Sequence, residues 1–360
     1  MSSVPSPSPS TSRSTSTSAS APAPASNVAA TDAPPSLWAR LWGGQAKQKL
    51  LAFASLVALI LVFTALRPDA FMNQDNIIGI LQSTTVIGVL AIASTFIIIT
   101  SGIDLSVGVL MTFTAVMAGV LTVNLGLPLG IGVIGAVAAG AGCGCLSGLA
   151  ITKLKVPPFI ATLGMMMLLK GASLIITQTR PIYFSDVAGF DQITLGSVIG
   201  AVIPGLPIPN GVLIMFIVAV LCAIVLGKTA LGRYTFALGS NEEAVRLSGV
   251  NVDRWKIIIY SFSGGICGIA GLLIASRLNS AQPALGQGYE LDAIAAVVIG
   301  GTSLSGGVGT ILGTVIGAFI MSVLINGLRI MSVAQEWQMV LTGLIIILAV
   351  YTDNVRRNKK

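Results

Sequence analysis

No histidine occurs among the 360 residues. The commonest general base and metal ligand is therefore missing. The four cysteines, Cys143, Cys145, Cys222 and Cys267, all lie inside apolar runs. Cys143 and Cys145 have no other ligand types nearby and read as small buried residues, not as a metal site. Gly227-Lys228-Thr229 resembles the end of a phosphate-binding loop, but the required earlier glycine would stand at position 222, which is Cys222. The run before it is apolar and helix-length, not a strand. The sequence thus offers no catalytic constellation, no metal site, no cofactor site and no nucleotide site. A process driven by ATP would need a separate ATPase subunit.

Three polar motifs interrupt the apolar runs. The first is Ser101-Gly102-Ile103-Asp104-Leu105-Ser106-Val107-Gly108. A carboxylate between two apolar runs is costly in lipid and should face protein, a cavity or the interface. Asp104 either caps the helix that follows, where the dipole favours an anion, or joins Ser101 and Ser106 in lining or gating a path; the two roles are compatible. The second motif runs from Gly239 to Gly249. Ser240 or Asn241 can cap a short helix, Glu242 and Glu243 suit its first turn, Arg246 its last, and Gly249 can end it. Such an element is a solvated loop helix or a docking element. The third motif, Ser280–Asp292, carries Gln282, Tyr289, Glu290 and Asp292. These are hydrogen-bonding types that a neutral polar ligand such as a sugar needs; the plainer reading is an ordered loop closing helix ends.

The elements holding these motifs follow from composition. Apolar residues make up 54% of the chain and charged ones 9%, against roughly 25% charged in an ordinary soluble domain. Mean hydropathy is +0.90. Too few charges remain to cover a soluble surface. The apolar stretches are continuous rather than alternating, which argues against a β-barrel. The expected fold is all-α: a polytopic helical membrane protein with about ten transmembrane segments, some short or broken. The runs are 50–66, 77–100, 105–125, 127–152, 156–178, 211–227, 257–276, 291–301, 308–328 and 338–352, the eighth too short to cross as a straight helix. The 41 glycines suit close helix contact in lipid.

Residues 1–36 contain 30 Ser, Pro, Thr or Ala, a composition expected to be disordered. Trp38 and Trp42 read as an interfacial lead-in. The transmembrane domain is expected over 37–352, with a charged cytoplasmic loop at 228–256 and a basic cytoplasmic C-terminus at 353–360. With the N-terminus inside, ten crossings put 14 Lys/Arg on cytoplasmic flanks and only Arg67, Arg180, Arg277 and Arg329 outside. The basic residues sit singly between apolar runs, so the net charge of +7 is a topology signal and not a nucleic-acid footprint. An internal echo aligns 101–120 with 300–319, matching Gly102, Leu105, Ser106 and Gly108 to Gly301, Leu304, Ser305 and Gly307. Helices interrupted at matching points in two halves point to a transport path.

SGIDLSVG (101–108), FIATLGMMMLLKG (159–171), LGRYTFALGSNEEAVRLSGVNV (231–252) and SAQPALGQGYELDAIAAVVIGGTSLSGG (280–307) together resemble the permease subunits of bacterial ABC importers for monosaccharides, ribose permease type. The resemblance covers roughly 50–352 and leaves the N-terminal tail out. It implies a multi-pass inner-membrane subunit that passes ribose or a related sugar from a periplasmic sugar-binding protein to the cytoplasm. The implied partners are a second copy of the chain, an ABC ATPase subunit that uses the ATP, the binding protein and membrane lipid. On that implication the 240–249 helix couples to the ATPase, and Arg67 and Arg180 are the best-placed outer charges for docking the binding protein. The alternative is an ion-coupled secondary transporter of a small polar solute. That would want paired intramembrane acids or a His relay, whereas Asp104 and Lys170 are the only ionisable candidates near membrane depth. A non-transport scaffold is a weaker third option.

Overall fold

The computed structural model describes residues 44–357, residue 204 excepted. The tail at 1–36, Trp38 and Trp42, and residues 358–360 lie outside the described residues. In chain order the elements are α1 (Gly44–Leu66), α2 (Pro68–Phe71), α3 (Gln74–Ile99), α4 (Val107–Gly119, continued by a π turn Val120–Asn124), α5 (Leu129–Thr152) and α6 (Pro158–Thr177). Then come β1 (Ile182–Tyr183), a 3-10 turn (Asp191–Ile193), α7 (Val198–Val202), α8 (Asn210–Lys228), α9 (Ala230–Leu247) and α10 (Val252–Leu278). The chain continues with β2 (Ser280–Ala281), α11 (Tyr289–Ile299), α12 (Ile311–Ile330) and α13 (Gln335–Arg357).

Among the described residues seven helices are long and apolar enough to cross a membrane: α3, α4 with its π turn, α5, α6, α8, α10 and α12. Leu50–Leu66 within α1 and Gln335–Leu348 within α13 are shorter apolar helices. With α11, which has 11 residues and so rises only ~16 Å, the apolar segments match the ten expected runs in number and order.

Local chemistry sets the ends. Pro158 opens α6, and Pro128 and Pro209 precede α5 and α8, where proline's fixed φ is pre-organised for a helix. Asn73, Asn251 and Thr310 accept hydrogen bonds from the backbone N–H groups of Asp75, Arg254 and Gly313. Gln178 and Asn279 end α6 and α10 in the left-handed conformation.

α3 is the axis of the bundle. Every residue from Thr84 to Ile99 is buried, as expected of a helix that is apolar all round. α10, α12, α11 and α8 pack around it. The tightest seam joins α5 to α10: a Cβ on Gly140 or Gly264 would overlap the other's carbonyl oxygen, and Gly144 lies against the Tyr260 carbonyl. This is close backbone approach through small residues four apart.

Two connections differ from expectation. The 228–256 stretch is mostly helix, since α9 fills much of it. The polar stretch 280–292 is not a loop resting at the surface. β2 pairs antiparallel with β1, Ile182 opposite Ala281, and the chain then turns back into the bundle. A Cβ on Gly286 would overlap the Gly108 carbonyl oxygen, and one on Gly108 the Gly286 oxygen. α11 therefore starts beside the first turn of α4.

Candidate functional site

The second motif forms a capped tip on α9. The helix is broken at Asn241 (φ −162, ψ 98). The Asn241 side chain accepts from the Ala244 N–H at 2.9 Å and so caps the last two turns. Gly249, at φ +84, ends them, and its N–H donates to the Arg246 carbonyl. Ser240 donates back to the Phe236 carbonyl, so of the two candidate caps Asn241 does the capping. Glu242 accepts from Lys256 at 2.6 Å and from Arg246 at 3.3 Å, while Lys153 pairs with Asp253 at 3.4 Å. Each exposed pair is worth ~0.2–1 kcal/mol, but together they tie the tip to the start of α10 and the end of α5. Glu243 is exposed. Leu247, which the sequence reading passed over, is 83% exposed on this capped, charged tip.

The tip is seated on the bundle axis. A Cβ at Gly239 would run into the Ile99 carbonyl oxygen and stand 2.6 Å from the Gly307 nitrogen. The Gly307 N–H donates to the Ile99 carbonyl at 2.9 Å. Ser101 Oγ donates to the Ser305 carbonyl at 2.8 Å and, more weakly, to the Gly239 carbonyl at 3.5 Å. The end of α3, the root of the tip and the loop before α12 thus meet through backbone atoms. The two segments of the internal echo end helices in the same backbone form, one residue out of the aligned register, but α6 and α12 close the same way at Gln178 and Ser332, so this form does not single out the echo. Ser101 (φ +63) and Gly301 (φ +93) both terminate a helix in the left-handed conformation. The Gly102 N–H reaches back to the Ile97 carbonyl and the Thr302 N–H to the Val297 carbonyl. Both ends are six-to-one helix closures.

Asp104 lies in the link between α3 and α4 and is 7% exposed. Its Oδ1 accepts from Ser106 N–H at 2.7 Å and from Ser106 Oγ at 2.6 Å, closing the turn that launches α4. Burial lifts its carboxyl above the ordinary carboxylate range, and the two bonds from Ser106 oppose that shift. Glu290 is equally buried. Its carboxylate reaches back to the Gly288 N–H at 3.0 and 3.1 Å and lies over Gly108. Gly108 follows Ser106 by two residues, so the first and third motifs converge on the start of α4. Tyr289 and Asp292 are half-buried, and Gln282 is exposed, with its amide 3.4 Å from Ser280 Oγ. Arg67 precedes α2 and Arg180 follows α6, both exposed and on separate stretches.

The family model described as branched-chain amino acid transport system / permease component matches residues 76–350. The chain is 43% identical over 306 residues to the ribose import permease protein RbsC of Escherichia coli K12, covering 84% of this chain and 92% of that protein. It is 41% identical to the protein of the same name from Bacillus subtilis, covering 85% and 92%. The fructose import permease protein FrcC of Rhizobium meliloti is 37% identical, covering 83% of each. No solved structure gives a significant match.

Proposed function

The chain belongs to the family described as branched-chain amino acid transport system / permease component, and from that membership we propose how its parts serve as the membrane subunit of an ATP-driven sugar importer. It is a transport subunit and not an enzyme, a multi-pass membrane component of a bacterial ABC importer for sugars. We assign it ribose or a closely related monosaccharide, because the ribose import permeases are more similar to it than the fructose one. An ABC ATPase subunit and a sugar-binding protein are the partners this implies, with two copies of the chain around the path.

The observation that carries the mechanism is the Gly239 seat. The α9 tip reaches the Ile99 end of the buried axis helix with no side chain between them. A movement of the tip therefore reaches α3 and the loop before α12 directly, whereas a flexible tether would absorb it. Exposed Leu247 and Glu243 are the surface offered to the ATPase, Leu247 as the apolar anchor. Arg246, engaged with Glu242, serves to stiffen the tip. Ser101 and Ser305 form the hinge between the end of α3 and the loop before α12. Asp104 and Ser106 fix the start of α4, and Glu290 fixes the start of α11 beside it. Tyr289, Asp292 and Gln282 belong to the outer part of the path. Arg67 and Arg180 are outer charges available to an acidic face of the binding protein.

The test is reconstitution in vesicles with the ATPase and binding protein. Uptake of ribose should require ATP hydrolysis. Leu247→Asp should abolish co-purification with the ATPase while leaving the permease inserted. Gly239→Val should keep co-purification but separate ATP hydrolysis from uptake. Ribose uptake driven by an ion gradient with the ATPase left out would establish the secondary transporter instead.

A further inference from the structure

Lys170 is the thirteenth of the 20 residues of α6, about 10 Å from the helix end. An ammonium at that depth is costly in hydrocarbon unless it is paired or wetted. Four ion pairs occur among the described residues, and none includes Lys170. Its Nζ donates to Gln287 Oε1 at 2.7 Å. That neutral partner uses one of three ammonium protons. Gln287 sits on the stretch that turns back into the bundle, whose Gly286 rests on Gly108. Between α4, α6 and this stretch lies a cleft that is closed in this structure, too tight to hold a water molecule, bordered by Val109, Thr112, Lys170, Pro283, Gly286 and Gln287. The Thr112 hydroxyl stands against Gly286. The Thr112 hydroxyl is buried and donates to the Gly108 carbonyl at 3.5 Å, so the polar groups that can meet a neutral polyhydroxylated solute are the half-buried Lys170 ammonium and the exposed Gln287 amide.

We propose that this cleft is a solute-contact point within the membrane path, with Lys170 and Gln287 as its polar contacts for a sugar's hydroxyl groups. The Lys170–Gln287 hydrogen bond closes the cleft when no solute is present, and passage exchanges that bond for bonds to the solute. The inference rests on the import reading above and adds to it the place where the solute is touched.

The test needs two measurements. In a background whose four cysteines are replaced by alanine, Lys170→Cys is exposed to a charged, water-soluble thiol reagent in vesicles. Leu168→Cys, at an apolar position 69% exposed on the same helix, is the control. Lys170→Cys should label and Leu168→Cys should not. This assay requires neither partner nor transport, so it stands even if the import reading fails. In the full transporter, Lys170→Met should lower uptake about tenfold at unchanged membrane abundance and ATPase co-purification, on the scale of one lost charged hydrogen bond. Lys170→Arg should restore most of it. Labelling no faster than at Leu168→Cys would mean that Lys170 snorkels toward headgroups and overturn the proposal. Parental uptake by Lys170→Met would overturn it equally. Absence of ATP-driven sugar uptake by the parent itself would strike the import reading, not the cleft.

Discussion

A carboxylate with two hydrogen-bond donors from a single neighbour is held for local order, and Asp104 is such a group. Both bonds come from Ser106, at the residue before α4 begins. Truncating the acceptor leaves a buried N–H and a buried hydroxyl without their partner, which costs ~1–3 kcal/mol. Asp104→Ala should therefore lower the thermal midpoint in detergent. Asp104→Asn, which keeps an acceptor oxygen, should recover much of the loss. Tyr260 supplies the contrast: its hydroxyl is buried and has no hydrogen-bond partner in the structure, so Tyr260→Phe should leave the midpoint unchanged or raise it. A parental midpoint for Asp104→Ala, with uptake lost, would move Asp104 from the scaffold to the path. The sequence announced Asp104 because an acid between apolar runs is conspicuous. It could not announce which atoms the carboxylate bonds, because Ser101 and Ser106 flank it alike and only the turn geometry selects Ser106. Leu247 escaped notice for the opposite reason. A leucine in a mixed-charge helix is unremarkable until its exposure is known.

The long elements were legible because each needs one thing, an unbroken apolar run, and the runs are separated by Pro, Gly and charge. α3 was expected at 77–100 and spans Gln74–Ile99, while α6 was expected at 156–178 and spans Pro158–Thr177. The cap chemistry of the 240–249 helix was legible on the same local grounds. What stayed hidden depends on partners distant in sequence. The start of α9 reads as loop because Gly232 and Gly239 weaken helix propensity. Both glycines are there for contact, Gly232 against the Leu226 backbone and Gly239 against Ile99. The inward turn of 282–288 depends on Gly286 meeting Gly108, which no local pattern encodes. The α5–α10 seam gives the cleanest element-level test. Gly264 faces the Gly140 carbonyl and Gly144 Cα, so Gly264→Val must push the two helices apart. Overpacking of this kind costs ~1–3 kcal/mol. The variant should melt earlier and yield less folded protein, whereas Gly142→Val, where a Cβ meets nothing within 4 Å, should behave as the parent. Equal melting of the two variants would remove the seam from the account of stability.

For the whole molecule, the packing groups chain segments by end. The Ile99 end of α3, the α9 tip and the loop before α12 share one end, and the Lys153–Asp253 pair joins the end of α5 to the start of α10 there. At the opposite ends of these helices, Phe63 of α1 lies against Gly327 of α12. β1 after α6 pairs with β2 after α10. The four arginines expected outside, Arg67, Arg180, Arg277 and Arg329, all follow or close helices at that second end. The alternation required by ten crossings is thus consistent with which termini meet, even though α11 spans only part of the thickness. On the positive-inside rule we expect the α9 end, with most of the Lys and Arg, to face the cytoplasm. Reporter fusions after Arg180 and after Arg246 should read periplasm and cytoplasm respectively. Reversal of both would turn the bundle over and move the α9 tip away from any cytoplasmic ATPase. The same side for both would mean that α8, the single long apolar helix in that interval among the described residues, does not cross, and would sink the ten-segment topology.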